Sequence, residues 1–197
     1  MIKRIVTTCV LSLCLVGHAL GAEDDVINSI NEGMEFYQSG EYGEATSSLN
    51  YAVQLIQQKK GDALAGLLPE PLDGWTAGEV ESQAAGAAMF GGGITAEREY
   101  SKGNSRVDIK IITDSPMLQA VMMMFSNPIF ATADGGKMER IGRQKAIVKY
   151  TPADNSGELQ MVVSNRFLVT VEGSDISRDE MLDYAKAIDL KKMANLP

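Results

Sequence analysis

From residue 24 to residue 60 the apolar positions recur at the period of a helix. Ile27, Ile30, Met34 and Tyr37 follow one another at i, i+3, i+7 and i+10, which lays an apolar stripe along one helix. Ser39 and Gly40 stop it. Tyr42, Ala45, Leu49, Ala52, Val53 and Ile56 repeat the spacing in a second helix, which Lys59-Lys60-Gly61 closes with positive charge and a glycine. Two helices joined by so short a turn form a helical hairpin over residues 23–60. Residues 61–74 read as a linker. Asp62 to Leu68 has room for another helical turn, and Pro69-Glu70-Pro71-Leu72-Asp73-Gly74 breaks it.

Beyond Trp75 the period changes from 3.6 to 2. Ile94, Ala96, Arg98 and Tyr100 share one face of a strand, and Lys102-Gly103-Asn104 turns the chain. Val107, Ile109 and Ile111 then alternate with Arg106, Asp108 and Lys110. Ala146, Val148 and Tyr150 make a third strand, and a turn at Asp154-Asn155-Ser156-Gly157 leads to Leu159, Met161 and Val163. A tight turn near Asn165 returns through Phe167, Val169 and Val171. Strands linked by turns this short pair antiparallel. Two helices punctuate the meander. Ser115-Pro116 places a cap before a proline at the first helical position, and Ser177-Arg178-Asp179-Glu180 matches a capping box ahead of Met181, Leu182, Ala185 and Ile188. The fold class is therefore α+β: an N-terminal helical hairpin, then an antiparallel sheet of about six strands with two helices packed on it, the sheet domain covering 75–197.

Gly33, Phe36, Tyr42, Ala45, Leu49 and Ala52 stand in an order that resembles one tetratricopeptide repeat over about residues 27–57. In that family a small residue and an aromatic on the first helix pack against small residues on the second. Ser29, Glu32 and Gln57 depart from its pattern, where it carries an aromatic, a leucine and a proline. The resemblance implies an association module, with Phe36 and Tyr42 as its candidate contacts. A lone repeat-like hairpin has no neighbouring repeat to cover its face. The entry through Leu68-Pro69 and Gly74-Trp75, with strands before helices, is loosely similar to PsbP/Mog1-like domains, a topological likeness that carries over no site residues.

The first residues have another character. Met1-Ile2-Lys3-Arg4 is a short positive stretch, Ile5 to Val16 is apolar, and Leu20-Gly21-Ala22 ends in small residues before Glu23-Asp24-Asp25. That is the layout of a secretory signal peptide over residues 1–22, cut after Ala22, and it places the mature chain in an exported, periplasmic-type compartment. The apolar run is too short for a membrane span of about 20 residues, so the chain is not expected to span a membrane after cleavage.

Composition sharpens this expectation. Both cysteines, Cys9 and Cys14, and the single histidine, His18, lie inside the leader, so the mature chain has neither thiol nor imidazole. The formal charge is −8; losing Lys3 and Arg4 leaves 16 basic against 26 acidic residues, or −10. So acidic a chain repels phosphate backbones, which excludes nucleic acid as a partner. No calcium loop, phosphate loop or Ser-x-x-Lys motif occurs, and no metal or cofactor is expected. The carboxylate clusters at 23–25, at Glu97 and Glu99, and at Asp179, Glu180 and Asp183 read as solvated charge rather than an acid–base pair.

Two segments remain as candidate binding surfaces. Between Ser115 and Ser126 only Gln119 is polar, and Met122-Met123-Met124 runs through three helical directions, so this helix is buried all round or meets a partner or ligand. Burial in the core is the favoured reading. Residues 84–93, with Met89 and Phe90 beside three glycines, form a small-residue loop whose functional alternative is a flap over that helix. The expected function is a non-enzymatic accessory or adaptor protein bound to another envelope protein. The alternative is a binder of a small apolar molecule at Met89, Phe90, Met122, Met123 and Phe125, and a second alternative is a carboxylate- or Ser/Lys-dependent enzyme.

Overall fold

Asp24 opens the first helix, α1 (Asp25–Ser39), by accepting a hydrogen bond from the Val26 amide at 3.2 Å. Gly40 closes it in the left-handed conformation (φ 81°), and the Glu41 amide donates to the Phe36 carbonyl at 2.9 Å. The computed structural model describes residues 24–84, 93–127 and 135–196. The expected signal peptide, Met89 and Phe90 lie outside these residues.

The second helix, α2 (Tyr42–Ala65), runs past the stop expected at Gly61. Burial overrides the local signal, because Leu64 near the helix end and Leu67 and Leu68 just beyond it join the hydrophobic core. Gly61 itself is buried inside the helix, where a Cβ would lie 3.4 Å from the Ser82 hydroxyl. The chain divides into two compact units, Met1–Ala52 and Val53–Pro197, and the division falls within α2.

The second unit is built on seven antiparallel strands: β1 (Thr76–Ala84), β2 (Ile94–Lys102), β3 (Ser105–Thr113), β4 (Lys137–Ile141), β5 (Gln144–Thr151), β6 (Ser156–Val163) and β7 (Phe167–Ser174). Their order is β1-β2-β3-β7-β6-β5-β4, two meanders joined where β3 pairs with β7. The α+β class holds, with seven strands rather than about six. The two not recognised from the pattern, β1 and β4, are the sheet's edges. β1 carries a bulge between Ala77 and Val80, a common way of blunting an edge.

Alternation decides which face is packed. Ala96, Tyr100, Val107, Ile109, Ile111, Leu159, Met161 and Val169 are fully buried on one face. That face is covered by α4 (Arg178–Ala187), which contacts β4, β6 and β7, and by the short α5 (Leu190–Ala194), which contacts β6. The expected capping box is present: Ser177 accepts from the Glu180 amide, and the Glu180 side chain accepts from the Ser177 amide. Met181 sits over Gly157 and Gly173, which face each other in register across β6 and β7. A Cβ on Gly157 would lie 2.7 Å from the Lys149 carbonyl, and one on Gly173 would lie 2.5 Å from Ile176 Cγ2. Only glycine fits between these neighbours at either position.

The stretch expected as a linker is held to the same core. The Tyr100 hydroxyl donates to the Pro69 carbonyl at 2.7 Å, and the Leu72 amide donates to the Tyr184 hydroxyl at 3.4 Å. Trp75 meets Tyr184 edge-on at 5.1 Å, and Tyr184 meets Tyr100 at 4.7 Å. Burial pushes the Tyr100 pKa up to about 12, against the opposing pull of Arg98. Burial also raises that of Tyr184.

Gly173→Ala is expected to lose about 1–3 kcal/mol in urea unfolding, the ordinary range for overpacking a filled site. Tyr100 supplies a pH signature. Its folded pKa is raised above the ordinary 10.0, so the folded state holds the proton more tightly. The stabilisation is complete below pH 10 and is lost as pH rises toward about 12. Tyr100→Phe should flatten the fall in urea midpoint across that window, and at neutral pH should cost about 1 kcal/mol for the missing hydrogen bond.

Candidate functional site

In the first unit the two helices pack through small residues. Val26, Ser29 and Gly33 are buried on α1, and Ala45, Ser48 and Ala52 on α2. A Cβ on Gly33 would lie 2.8 Å from Leu49 Cγ, so the helices touch here at glycine distance. The Ser48 hydroxyl donates to the Glu32 carboxylate at 2.9 Å, which fixes the register of the pair.

This packing line does not coincide with the apolar stripe. Ile27, Met34 and Tyr37 on α1, and Tyr42 and Leu49 on α2, remain between 43% and 65% exposed. At 100° per residue, each stripe lies roughly a quarter turn clockwise of the packing line, viewed from its own helix's N-terminus. The helices run antiparallel, so the two offsets bring both stripes to the same side. Tyr37 and Tyr42 meet there, with ring centroids 5.6 Å apart. Phe36, half-buried, lies beside the packing line, whereas Tyr42 stands on the outward face. The sequence from residue 24 to residue 52 carries Asp24, Asp25, Glu32, Glu35, Glu41 and Glu44 and no lysine or arginine.

In the second unit the methionine helix, α3 (Met117–Ser126), starts as expected. Pro116 has helical angles (φ −58°, ψ −27°), and the Ser115 hydroxyl accepts from the Met117 amide at 3.3 Å. Its burial differs from the favoured reading. Leu118 is the buried residue of this helix, Met122 and Phe125 are half-buried, and Met117, Met123 and Met124 are exposed, Met123 at 68%. The core face is already filled by α4 and α5, and α3 instead contacts β6 from the other side, where Val162, on the opposite face from Met161 and Val163, lines the space beside it. Leu118, Ile147 and Leu168 are buried outside the main core cluster.

Between α3 and the β4–β5 turn lies an open trough of about 600 Å³. Met122, Phe125 and Ser126 of α3 line one side, and Arg143, Gln144, Lys145, Val162 and Asn165 of the sheet and its turns line the other. Arg143 is held at the tip of a two-residue hairpin turn, Gly142-Arg143, between the paired Ile141 and Gln144. Gly142 takes the positive φ of 58° that the first position of a type II′ turn needs. Thus Met122 and Phe125 share a site with two cations the sequence reading did not single out, while Met123 points elsewhere on α3.

The carboxylates are engaged in surface pairs. Glu97 meets Lys110, Glu99 meets Arg106, Glu180 meets Lys102 and Asp183 meets Lys186, each at 2.7–2.8 Å. The Lys102 ammonium, with the Ser177 hydroxyl, lowers the Glu180 pKa. A second trough, about 370 Å³, crosses the polar sheet face beside Asp108, Glu158, Glu172 and Lys149. Among the described residues, no three His, Cys, Asp or Glu side chains are grouped to hold a metal, and no helix is long and apolar enough to cross a membrane.

Compared with protein families, with curated proteins and with solved structures, the chain matches none.

Exposure orders the methionines by reactivity. Under mild peroxide, Met123, Met117 and Met124 should become sulfoxides well before Met161, Met181 and Met193, which have no accessible surface. Peptide mass spectrometry over a time course checks the order.

Proposed function

We propose that this chain is a non-enzymatic exported accessory protein that works by association, and that its hairpin carries the contact. The observation behind the reading is the outward apolar face of Ile27, Met34, Tyr37, Tyr42 and Leu49 on a hairpin stretch, residues 24–52, that has carboxylates and no lysine or arginine. Exposed apolar surface rimmed by polar side chains marks interaction sites, and tyrosine is enriched in the anchors of such sites. The charge selects the occupant. A second copy would bring like charge against like charge, and an anionic bilayer would be repelled. The partner that fits is an envelope protein presenting an amphipathic helix with an apolar stripe flanked by Lys and Arg. The repeat-like spacing of Gly33, Phe36, Tyr42, Ala45, Leu49 and Ala52 agrees with such a role.

A synthetic Leu/Lys amphipathic helix is the probe, with its Leu/Glu counterpart as control. The protein should bind the basic peptide, with affinity falling as salt rises, and should not bind the acidic one. Met34→Ser/Tyr37→Ser/Tyr42→Ser should weaken binding by at least about tenfold, the scale of one or two lost anchors, with far-UV dichroism unchanged. Equal binding of both peptides, or an unaffected triple variant, overturns the association reading. Export is tested separately: in a secreting host, the chain recovered outside the cytoplasm should begin at Glu23 by intact mass. Retention in the cytoplasm overturns that part.

A further inference from the structure

We infer that the trough beside α3 is a binding site for a single-chain amphipathic anion, an acyl carboxylate by chemical class, with its chain along Met122, Phe125 and Val162 and its carboxylate on Arg143 and Lys145. The inference is independent of the hairpin's role, since every residue in it belongs to the second unit.

Three observations carry it. The first is size and lining. A volume of about 600 Å³ falls within the range of small-molecule sites. Its apolar lining is built partly from methionine, whose flexible, polarizable side chain adapts to a chain of variable conformation. The second is the cations. In this acidic chain Lys60, Arg98, Lys102, Arg106, Lys110, Arg178 and Lys186 all have carboxylate partners. Among the described residues, Arg143 and Lys145 have no such partner, as is also true of Lys137, Arg140, Lys149, Lys191 and Lys192; what sets Arg143 and Lys145 apart is that both line the trough. Lys145 stands directly opposite Arg140 in the β4–β5 register, a like-charge pairing that weakens a sheet unless an anion offsets it. The third is arrangement. Apolar side chains from α3 and Val162 beside the cations Arg143 and Lys145 ask for a head and a tail in one molecule. A guanidinium offers a carboxylate two parallel N–H donors, and the lysine adds a point charge beside it. An inorganic anion would leave the apolar side chains wet, and a neutral hydrocarbon would leave the cations unmatched.

The test is calorimetric titration of the purified protein with decanoate below its micellar range, alongside decan-1-ol as the neutral chain of equal length. Decanoate should bind and decanol should bind far more weakly. Arg143→Gln/Lys145→Gln should weaken decanoate at least tenfold and leave decanol unchanged. Met122→Glu, which keeps both cations and places a carboxylate among the apolar side chains, should also weaken decanoate. Far-UV dichroism and urea midpoint verify that both variants fold. Decanoate binding that survives the double glutamine change overturns the site, as does equal binding of acid and alcohol, or no binding of either. Sedimentation with phosphatidylglycerol vesicles separates the sources of such an anion: vesicle binding without decanoate binding overturns the proposal in favour of a bilayer surface.

Discussion

Much of the second unit depends on how closely α4 approaches the sheet. Met181 rests on the backbone of β6 and β7 because Gly157 and Gly173 stand opposite each other beneath it. A Cβ on Gly157 would crowd Met181 Sδ at 3.1 Å, and one on Gly173 would run into Ile176 Cγ2 at 2.5 Å just ahead of α4, so either would disturb the helix that holds Tyr184 against Trp75 and Tyr100. The aromatic cluster in turn positions Pro69 and Leu72, so the segment between α2 and β1 is tied down by the same helix. One close contact thus sets the depth of the whole core, since packed interiors leave few voids to absorb a shift.

That contact also explains the placement of the methionine helix. A sheet has two faces, and the apolar one is fully used by α4, α5, Trp75 and the leucines at the end of α2. The helix α3 must therefore find its cover on the face where charged and apolar residues alternate. There it buries Leu118 and leaves its other apolar side chains half-covered or exposed. The trough follows directly: a helix too apolar for water lies against a surface too polar to bury it. A similar tension runs through the hairpin, where close packing at Gly33 turns Met34 and Tyr37 outward.

How far this was legible in the sequence depended on burial. The strands with clean alternation, such as Val107-Ile109-Ile111, became fully buried, because a period of 2 in apolar side chains only arises where one face is covered. The edge strands β1 and β4 cover little and carry no such pattern, so Thr76-Ala77-Gly78-Glu79 gave no strand signal. Gly61 misled because glycine ends helices as readily as it permits close contact inside them. At the trough, Met122 and Phe125 were visible as unusual, but Arg143 and Lys145 were not. A signal existed: Lys137, Arg140, Arg143, Lys145 and Lys149 crowd one short stretch of an acidic chain. Its meaning needed the register that sets Lys145 against Arg140, and the fold that brings α3 alongside.

The acid–base properties of the described residues bear on whether this surface chemistry is binding or catalysis. Proton transfer near neutral pH is served by groups tuned toward neutrality. Here the shifts run the other way: burial raises Tyr100 and Tyr184, and a lysine with a capping hydroxyl lowers Glu180. Each shift has a structural cause already accounted for, in the core or at a helix cap. None of these three groups lines the trough beside α3. Its cations present fixed charge beside the apolar side chains of α3 and Val162, the two features on which the proposed anion site rests. The two exposed apolar surfaces carry opposite charge, one rimmed by carboxylates and the other by cations, so as binding sites they would take different ligands.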